Sequence, residues 1–227
     1  MTLEQRQRVK TDITNDELSR PVHGKSSVAS LLSMPFIWIL GFIYFCIQSG
    51  VYAINFWLPS IIKNLGFSDA LVIGWISAVP YLMAGVFMLL VGRSADLRNE
   101  RRWHLVVPML MGATGLIIAA NFATLPIVAI IGLTIATMGA LTSLPMFWPL
   151  PTALLSASVA AGSGGLALIN SIGQMAGFLS PYLVGWIKDQ TGSTTLALYA
   201  LAALTIVGSL VALRVSRSSA VKVAGPA

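Results

Sequence analysis

Charged side chains in this 227-residue chain gather in a few tight clusters, and between the clusters lie four windows with none. Ser26 to Ile62 runs 37 residues without a charge, Ala70 to Gly92 runs 23, Trp103 to Ile187 runs 85, and Gln190 to Leu213 runs 24. A charge at the centre of a bilayer costs roughly 2.5–3.5 kcal/mol even on insertion scales. Helices in water keep a polar face, so a chain that excludes charge over 85 residues is written for lipid. At ~20 apolar residues per span, the windows hold one, one, three and one spans. The expected fold class is an all-α membrane protein with six transmembrane helices.

Lysine and arginine positions set the orientation. Five lie in the N-terminal tail (Arg6, Arg8, Lys10, Arg20, Lys25), one in the first connection (Lys63), and four in the second (Arg93, Arg98, Arg101, Arg102). One follows the long window (Lys188), and three lie in the C-terminal tail (Arg214, Arg217, Lys222). Three spans in the long window divide them 12 to 2 between the two sides, whereas two or four would divide them 10 to 4. Positive residues collect on the cytoplasmic side, so three spans are preferred and both termini are expected in the cytoplasm. The protein is expected to be multi-pass in the inner or plasma membrane. Its spans are expected over Met34–Trp57, Ala70–Val91, Leu105–Ala120, Leu125–Phe147, Gly165–Ile187 and Thr195–Leu213. Residues 1–30 and 218–227 are expected to be tails flanking a bundle over 31–217.

Several function classes drop out. The net charge of +6 sits beside apolar spans, so it marks topology and not nucleic-acid binding. Cys46 is the single cysteine and has no intrachain disulfide partner. His23 and His104 are the only histidines, and no cluster has metal-ligand spacing. There is no nucleophile–base pair and no Walker sequence; the Gly162–Gly165 run lacks the Lys-Ser/Thr of a phosphate loop and reads as a flexible connection. The chain is expected to be no enzyme and to need no cofactor or metal. No Asp or Glu lies inside any span, so the intramembrane carboxylate that proton-coupled carriers use is missing.

Polar side chains inside the spans draw stripes. Tyr44, Gln48, Tyr52 and Asn55 follow one another at helical spacing on the first span. Facing lipid they would be costly, so they face other helices or a cavity. Asn170 and Gln174 lie one turn apart on the fifth, as interhelix glue or part of a substrate path. Thr134, Thr137 and Leu141 draw a milder stripe toward Trp148, which is an interfacial anchor or, preferred here, a cavity wall. Thr205 on the sixth span is expected to be peripheral. Gly173, Gly177, Pro181 and Gly185 recur every four residues, a stripe that lets another backbone approach. Phe56-Trp57-Leu58-Pro59 at the end of the first span is echoed by Phe147-Trp148-Pro149-Leu150-Pro151 at the end of the fourth. Such an echo fits a three-plus-three inverted repeat, or only the taste of Trp and Pro for helix ends.

The most specific string is Gly92-Arg93-Ser94-Ala95-Asp96-Leu97-Arg98-Asn99-Glu100-Arg101-Arg102-Trp103-His104, between the second and third spans. Gly92 would let two helices meet closely, and Asp96 would accept N–H groups at a neighbouring helix start. A glycine, an Asp four residues on and a basic cluster resemble the second copy of the signature loop of the major facilitator superfamily. The Glu-Arg-Arg-Trp-His ending resembles its anion:cation symporter family. Leu97 and Asn99 stand where that pattern has Arg and often Gly, which thins the loop's charge network.

The resemblance covers six helices of a twelve-helix architecture and matches the second bundle. It implies the C-terminal half of a symporter for small organic anions (aromatic, sugar-acid or dicarboxylic), a fragment or split half that is inactive alone. The N-terminal tail resembles the end of the central linker. The resemblance implies substrate contacts at Tyr44, Gln48, Tyr52, Asn55, Trp148, Asn170 and Gln174, a conformational latch at Gly92, Asp96, Arg98, Arg101 and Arg102, and packing at the fifth-span stripe. The coupling proton or cation would come through an N-terminal six-helix half, or the partner could be a second copy. A rival expectation is a six-helix protein that assembles with or regulates a partner and transports nothing.

Overall fold

The computed structural model describes residues 28–156 and 162–223. Among the described residues all regular structure is helical: α1 (Val28–Leu32), α2 (Pro35–Asn64), α3 (Ala70–Arg98), α4 (Arg102–Asn121), α5 (Pro126–Phe147), α6 (Pro149–Ser156), α7 (Gly162–Gln174), α8 (Ala176–Thr191) and α9 (Thr195–Val223). Among the described residues, five stretches are long and apolar enough to cross a membrane: Pro35–Asn64, Ala70–Arg98, Arg102–Asn121, Pro126–Leu155 and Thr195–Val215. Several outrun their charge-free windows. The 30 residues of α2 reach ~45 Å, the depth of a bilayer with its headgroups.

The traverse expected over Gly165–Ile187 is not one continuous helix. It breaks at Met175, whose N–H reaches only the i−3 carbonyl of Ile172, at 3.3 Å. Gly173 and Gly177 flank the break and Pro181 follows, so the helical ladder is weakest there. The Gly162–Gly165 run is not a free connection, since it opens α7. Gly164 and Gly165 lie under the side chains of Leu31 and Leu155, and that packing offsets the cost of glycine in a helix.

Close approaches give the direction of each helix. Gly41 meets Ile172, Tyr44 meets Gly173, Tyr52 meets Gly177 and Trp57 meets Gly185, so α2 and the α7–α8 pair run parallel. Parallel neighbours need an odd number of crossings between them, and α3, α4 and α5 supply three. The parity that charge counting favoured is therefore built into the packing. Antiparallel contacts link α4 to α5, with Gly112 on Gly139 and Gly115 on Gly132, and α9 to α2, with Gly208 on Cys46. At one end Leu31 and Ile37 cluster with Ala95, Leu105, Phe147 and Ala212. At the other, Ile61 and Ala120 cluster with Ile187 and Ala197. Both ends of the described chain thus share a side with the 98–102 loop. Trp57 packs at one end of the bundle and Trp148 at the other, the placement an inverted repeat requires.

Backbone-to-backbone approach occurs at a seam that the sequence expectation did not choose. A Cβ on Gly132 would stand 2.7 Å from the Ala119 nitrogen, and one on Gly115 or Gly139 would strike the facing backbone still harder. On α7–α8 the glycine stripe instead receives rings: Tyr44 at Gly173, Tyr52 at Gly177 and Trp57 at Gly185. α3 stands apart, with only 11% of its most apolar window buried against 72% for α2. Leu71, Trp75, Leu82 and Leu89 lie exposed along it.

Candidate functional site

The stripe on α2 divides into three local structures. Nearest one end, Tyr44 is buried and stacks on Phe147 at 5.0 Å, with Trp148 edge-on at 5.0 Å. The glycine at 173 makes this possible, because any side chain there would occupy the place of the Tyr44 ring. Trp148, on the turn between α5 and α6, therefore packs edge-on against the Tyr44 ring.

At mid-helix Gln48 and Tyr52 converge on one acceptor. Gln48 Nε2 donates to Gln174 Oε1 at 3.3 Å, and the Tyr52 hydroxyl donates to the same oxygen at 2.5 Å. Gln48 is 5% exposed, whereas Gln174 lies open on the surface and Tyr52 is half-buried. Gln174 is the last residue of α7, so the helix break at Met175 sits directly beside this hub. Asn170, one turn earlier, is half-buried and has no hydrogen-bond partner among the described residues. Ser180 locks the seam below by donating to the Ser49 carbonyl at 2.7 Å.

Farther along, Asn55 is exposed and accepts from the Tyr81 hydroxyl of α3 at 2.8 Å. Tyr81 and Phe147 are missing from the sequence-derived set. Phe147 had a visible signal as the neighbour of Trp148 in the echoed string, while Tyr81 stood alone in an apolar run and had none. Thr134 and Thr137 turn their hydroxyls back to Ile130 and Leu133 on their own helix, and Thr137 is fully buried. Thr205 is not peripheral: it is buried, bonded to the Leu201 carbonyl and close to Gly50.

No charged group belongs to this cluster. It brings amides, hydroxyls and ring faces to the exposed Gln174, with exposed Phe178 and Tyr182 following on α8. Such a surface can hydrogen-bond hydroxyls and stack on flat groups. It cannot neutralise an anion by itself.

The 98–104 loop forms a compact knot. Asn99 closes α3 with φ of 48°, the left-handed conformation in which Asn is the best substitute for Gly. Glu100, not Asp96, caps the following helix: its carboxylate accepts from the Trp103 N–H at 2.8 and 3.1 Å. His104 Nδ1 lies 2.8 Å from Glu100 and its Nε2 3.1 Å from the Ser94 hydroxyl. Burial pushes the Glu100 carboxyl up, but the Trp103 N–H and the His104 imidazole outweigh it and hold the group below its usual range. Asp96 pairs with Arg101 at 2.6 Å in the open. Arg102 lies over the Trp103 ring at 5.1 Å, with Nε and Nη2 buried and unpartnered among the described residues. Gly92 sits against Met146 at ordinary contact distance, so nothing in the described packing demands glycine there.

Known proteins place this architecture. The chain is 39% identical over 96% of its length to the "Putative tartrate transporter" of Agrobacterium vitis and covers 48% of it. It is 34% identical over 87% of its length to the "Putative metabolite transport protein NicT" of Pseudomonas putida, covering 45%. It is 33% identical over 81% of its length to the "Inner membrane transport protein RhmT" of Escherichia coli, covering 43%. The chain thus spans about half the length of the curated relatives it matches. The family model described as Major Facilitator Superfamily matches residues 40–226, and with that match over most of the chain, the protein belongs to the Major Facilitator Superfamily.

Proposed function

We propose that this chain is the C-terminal half of a secondary transporter for small organic anions and that Gln48, Tyr52, Gln174 and Asn170 form its share of the substrate site. One observation carries the reading: the amide–hydroxyl hub ends on the exposed Gln174, next to the exposed Met175, Phe178 and Tyr182, and so wants a second surface to complete it. Transporter names among the relatives, tartrate included, support the substrate class. Tyr44, Asn55 and Trp148 belong to the same face in this reading. The anion's charge and the coupling proton or cation fall to an N-terminal six-helix half, since the charge-free windows that form the middle of these spans hold nothing to answer them. A polyhydroxylated carboxylate suits the hub, with its hydroxyls meeting the neutral amides and its charge held opposite.

In the same reading the knot around Gly92, Asp96, Arg98, Arg101 and Arg102 is the latch that closes the cytoplasmic side, and the unpartnered Arg102 nitrogens find their acceptor in one state of the full carrier. The bundle over 31–217 lies in the cytoplasmic (inner) membrane with both tails, 1–30 and 218–227, inside. Reporter fusions after Leu65 and Thr191 should read external and one after Asn99 cytoplasmic; an external reading at Asn99 would overturn the orientation.

The site is tested in a carrier reconstituted with an N-terminal six-helix half. Losing one hydrogen bond in a polar pocket costs about 1–3 kcal/mol, roughly ten- to hundredfold in affinity. Gln48→Ala and Asn170→Ala should each weaken apparent substrate affinity by that much. Thr114→Ala, on the exposed side of α4, is the control, because Thr205 is buried. Unchanged affinity and rate in both variants, at normal expression, would leave these side chains as helix glue.

A further inference from the structure

A groove of about 360 Å³ runs between α3 and α4 at the end of the bundle that carries the 98–104 knot. Phe87, Leu90, Val91, Val107 and Pro108 line its apolar part, the floor, and Ser94, Arg98, Trp103 and His104 its polar part, the mouth. It opens outward, since Leu90, Val107 and Trp103 are all exposed. The hub around Gln174 has no part in it.

Two features decide what would fit. The first is amphipathic length: from Phe87 to Arg98 the groove follows α3 for roughly 16 Å at 1.5 Å per residue. The second is a cation left free. Asp96 is taken by Arg101, and Glu100 by the Trp103 N–H and His104, so Arg98 faces the mouth with no carboxylate partner among the described residues. A soluble anion would match Arg98 and leave the apolar floor empty. An uncharged lipid would fill the floor and leave Arg98 unanswered.

We propose that this groove binds one anionic phospholipid, with an acyl chain along Leu90, Val91, Val107 and Pro108, its phosphate at Arg98, and the Trp103 indole at headgroup depth. Tryptophan favours that depth, and a basic residue near a membrane surface attracts anionic headgroups. The headgroup would hold the loop between α3 and α4 at the membrane surface. Assigning the lipid to the cytoplasmic leaflet rests on the orientation proposed above, but the binding itself does not.

The test is native mass spectrometry of the full chain in detergent with equimolar phosphatidylglycerol and phosphatidylcholine of the same chain length. One phosphatidylglycerol should be retained per chain in preference to phosphatidylcholine. Arg98→Gln should lower that preference roughly fivefold, whereas Arg214→Gln, an exposed cation at the same end of the bundle, should not. Val107→Trp fills the floor and should displace the lipid while Arg98 is intact. An equal loss with Arg214→Gln, or full retention with Val107→Trp, would reduce the effect to a diffuse surface field and overturn the site. Displacement by excess inorganic phosphate would make it a free-anion site and overturn it as well. Absence of the lipid once an N-terminal half is paired with the chain would give the groove to protein and do the same.

Discussion

Between α4 and α5, glycines let backbone meet backbone; between α2 and the α7–α8 pair, they let aromatic rings settle into notches. At the first seam Gly112, Gly115, Gly132 and Gly139 face the opposite main chain, so neither helix can shift without the contact being lost. At the second, Tyr52 and Trp57 lie 3.2 and 3.3 Å from where a Cβ would stand on Gly177 and Gly185, and a ring can tilt within such a notch. The second seam also holds the helix break at Met175 and the hydrogen-bonded hub. One seam is closed by main chain and the other by side chains, and the polar groups sit on the second.

The contrast is broken or sharpened first by glycine substitution. Gly139→Ala should destabilise the chain by about 3 kcal/mol, the upper range for overpacking, because main chain must retreat. Gly177→Ala should cost under about 1 kcal/mol, because only the Tyr52 ring must yield. Unfolding midpoints of the two purified variants decide it. Equal losses would erase the distinction between the seams.

Much of this was legible in the sequence. Charge-free windows and the lysine–arginine count pointed to three crossings in the long window, and the parallel packing of α2 with α7–α8 agrees with that parity. Gln48, Tyr52 and Gln174 were readable as stripes because an unpaired polar group in a span has few tolerable places. What each glycine meets was not readable. A repeat of small residues shows room for a neighbour but not whether ring or backbone fills it, and the pair Gly112 and Gly115 is shorter and plainer than the stripe from Gly173 to Gly185. The break at Met175 was hidden for a related reason: membrane helices tolerate Gly and Pro, and only the surrounding contacts decide where the ladder gives way. The exchange of roles between Asp96 and Glu100 depended on the left-handed turn at Asn99, which no side-chain pattern specifies.

A smaller effect belongs to the 98–104 loop. Glu100 has its pKa lowered in the fold, so its contribution is present above the ordinary carboxylate value of 4.5 and is lost as pH falls through the lower folded value. The group is about one-third exposed, so solvent screening keeps the effect below about 1 kcal/mol. Amide hydrogen exchange at Trp103 should lose protection on acidification below pH 4.5, relative to a Glu100→Gln variant that holds its amide acceptor throughout. Identical protection in both would show that the cap does not depend on the charge.

The central claim is that this bundle holds one side of a transport site and needs the other. Proteoliposomes containing only this chain, given a pH gradient and a panel of labelled carboxylates including tartrate, test it most directly. The account predicts no gradient-dependent accumulation by the chain alone, and accumulation once an N-terminal six-helix half is reconstituted with it. Gradient-driven uptake by the chain alone would contradict the account and show that copies of this bundle suffice.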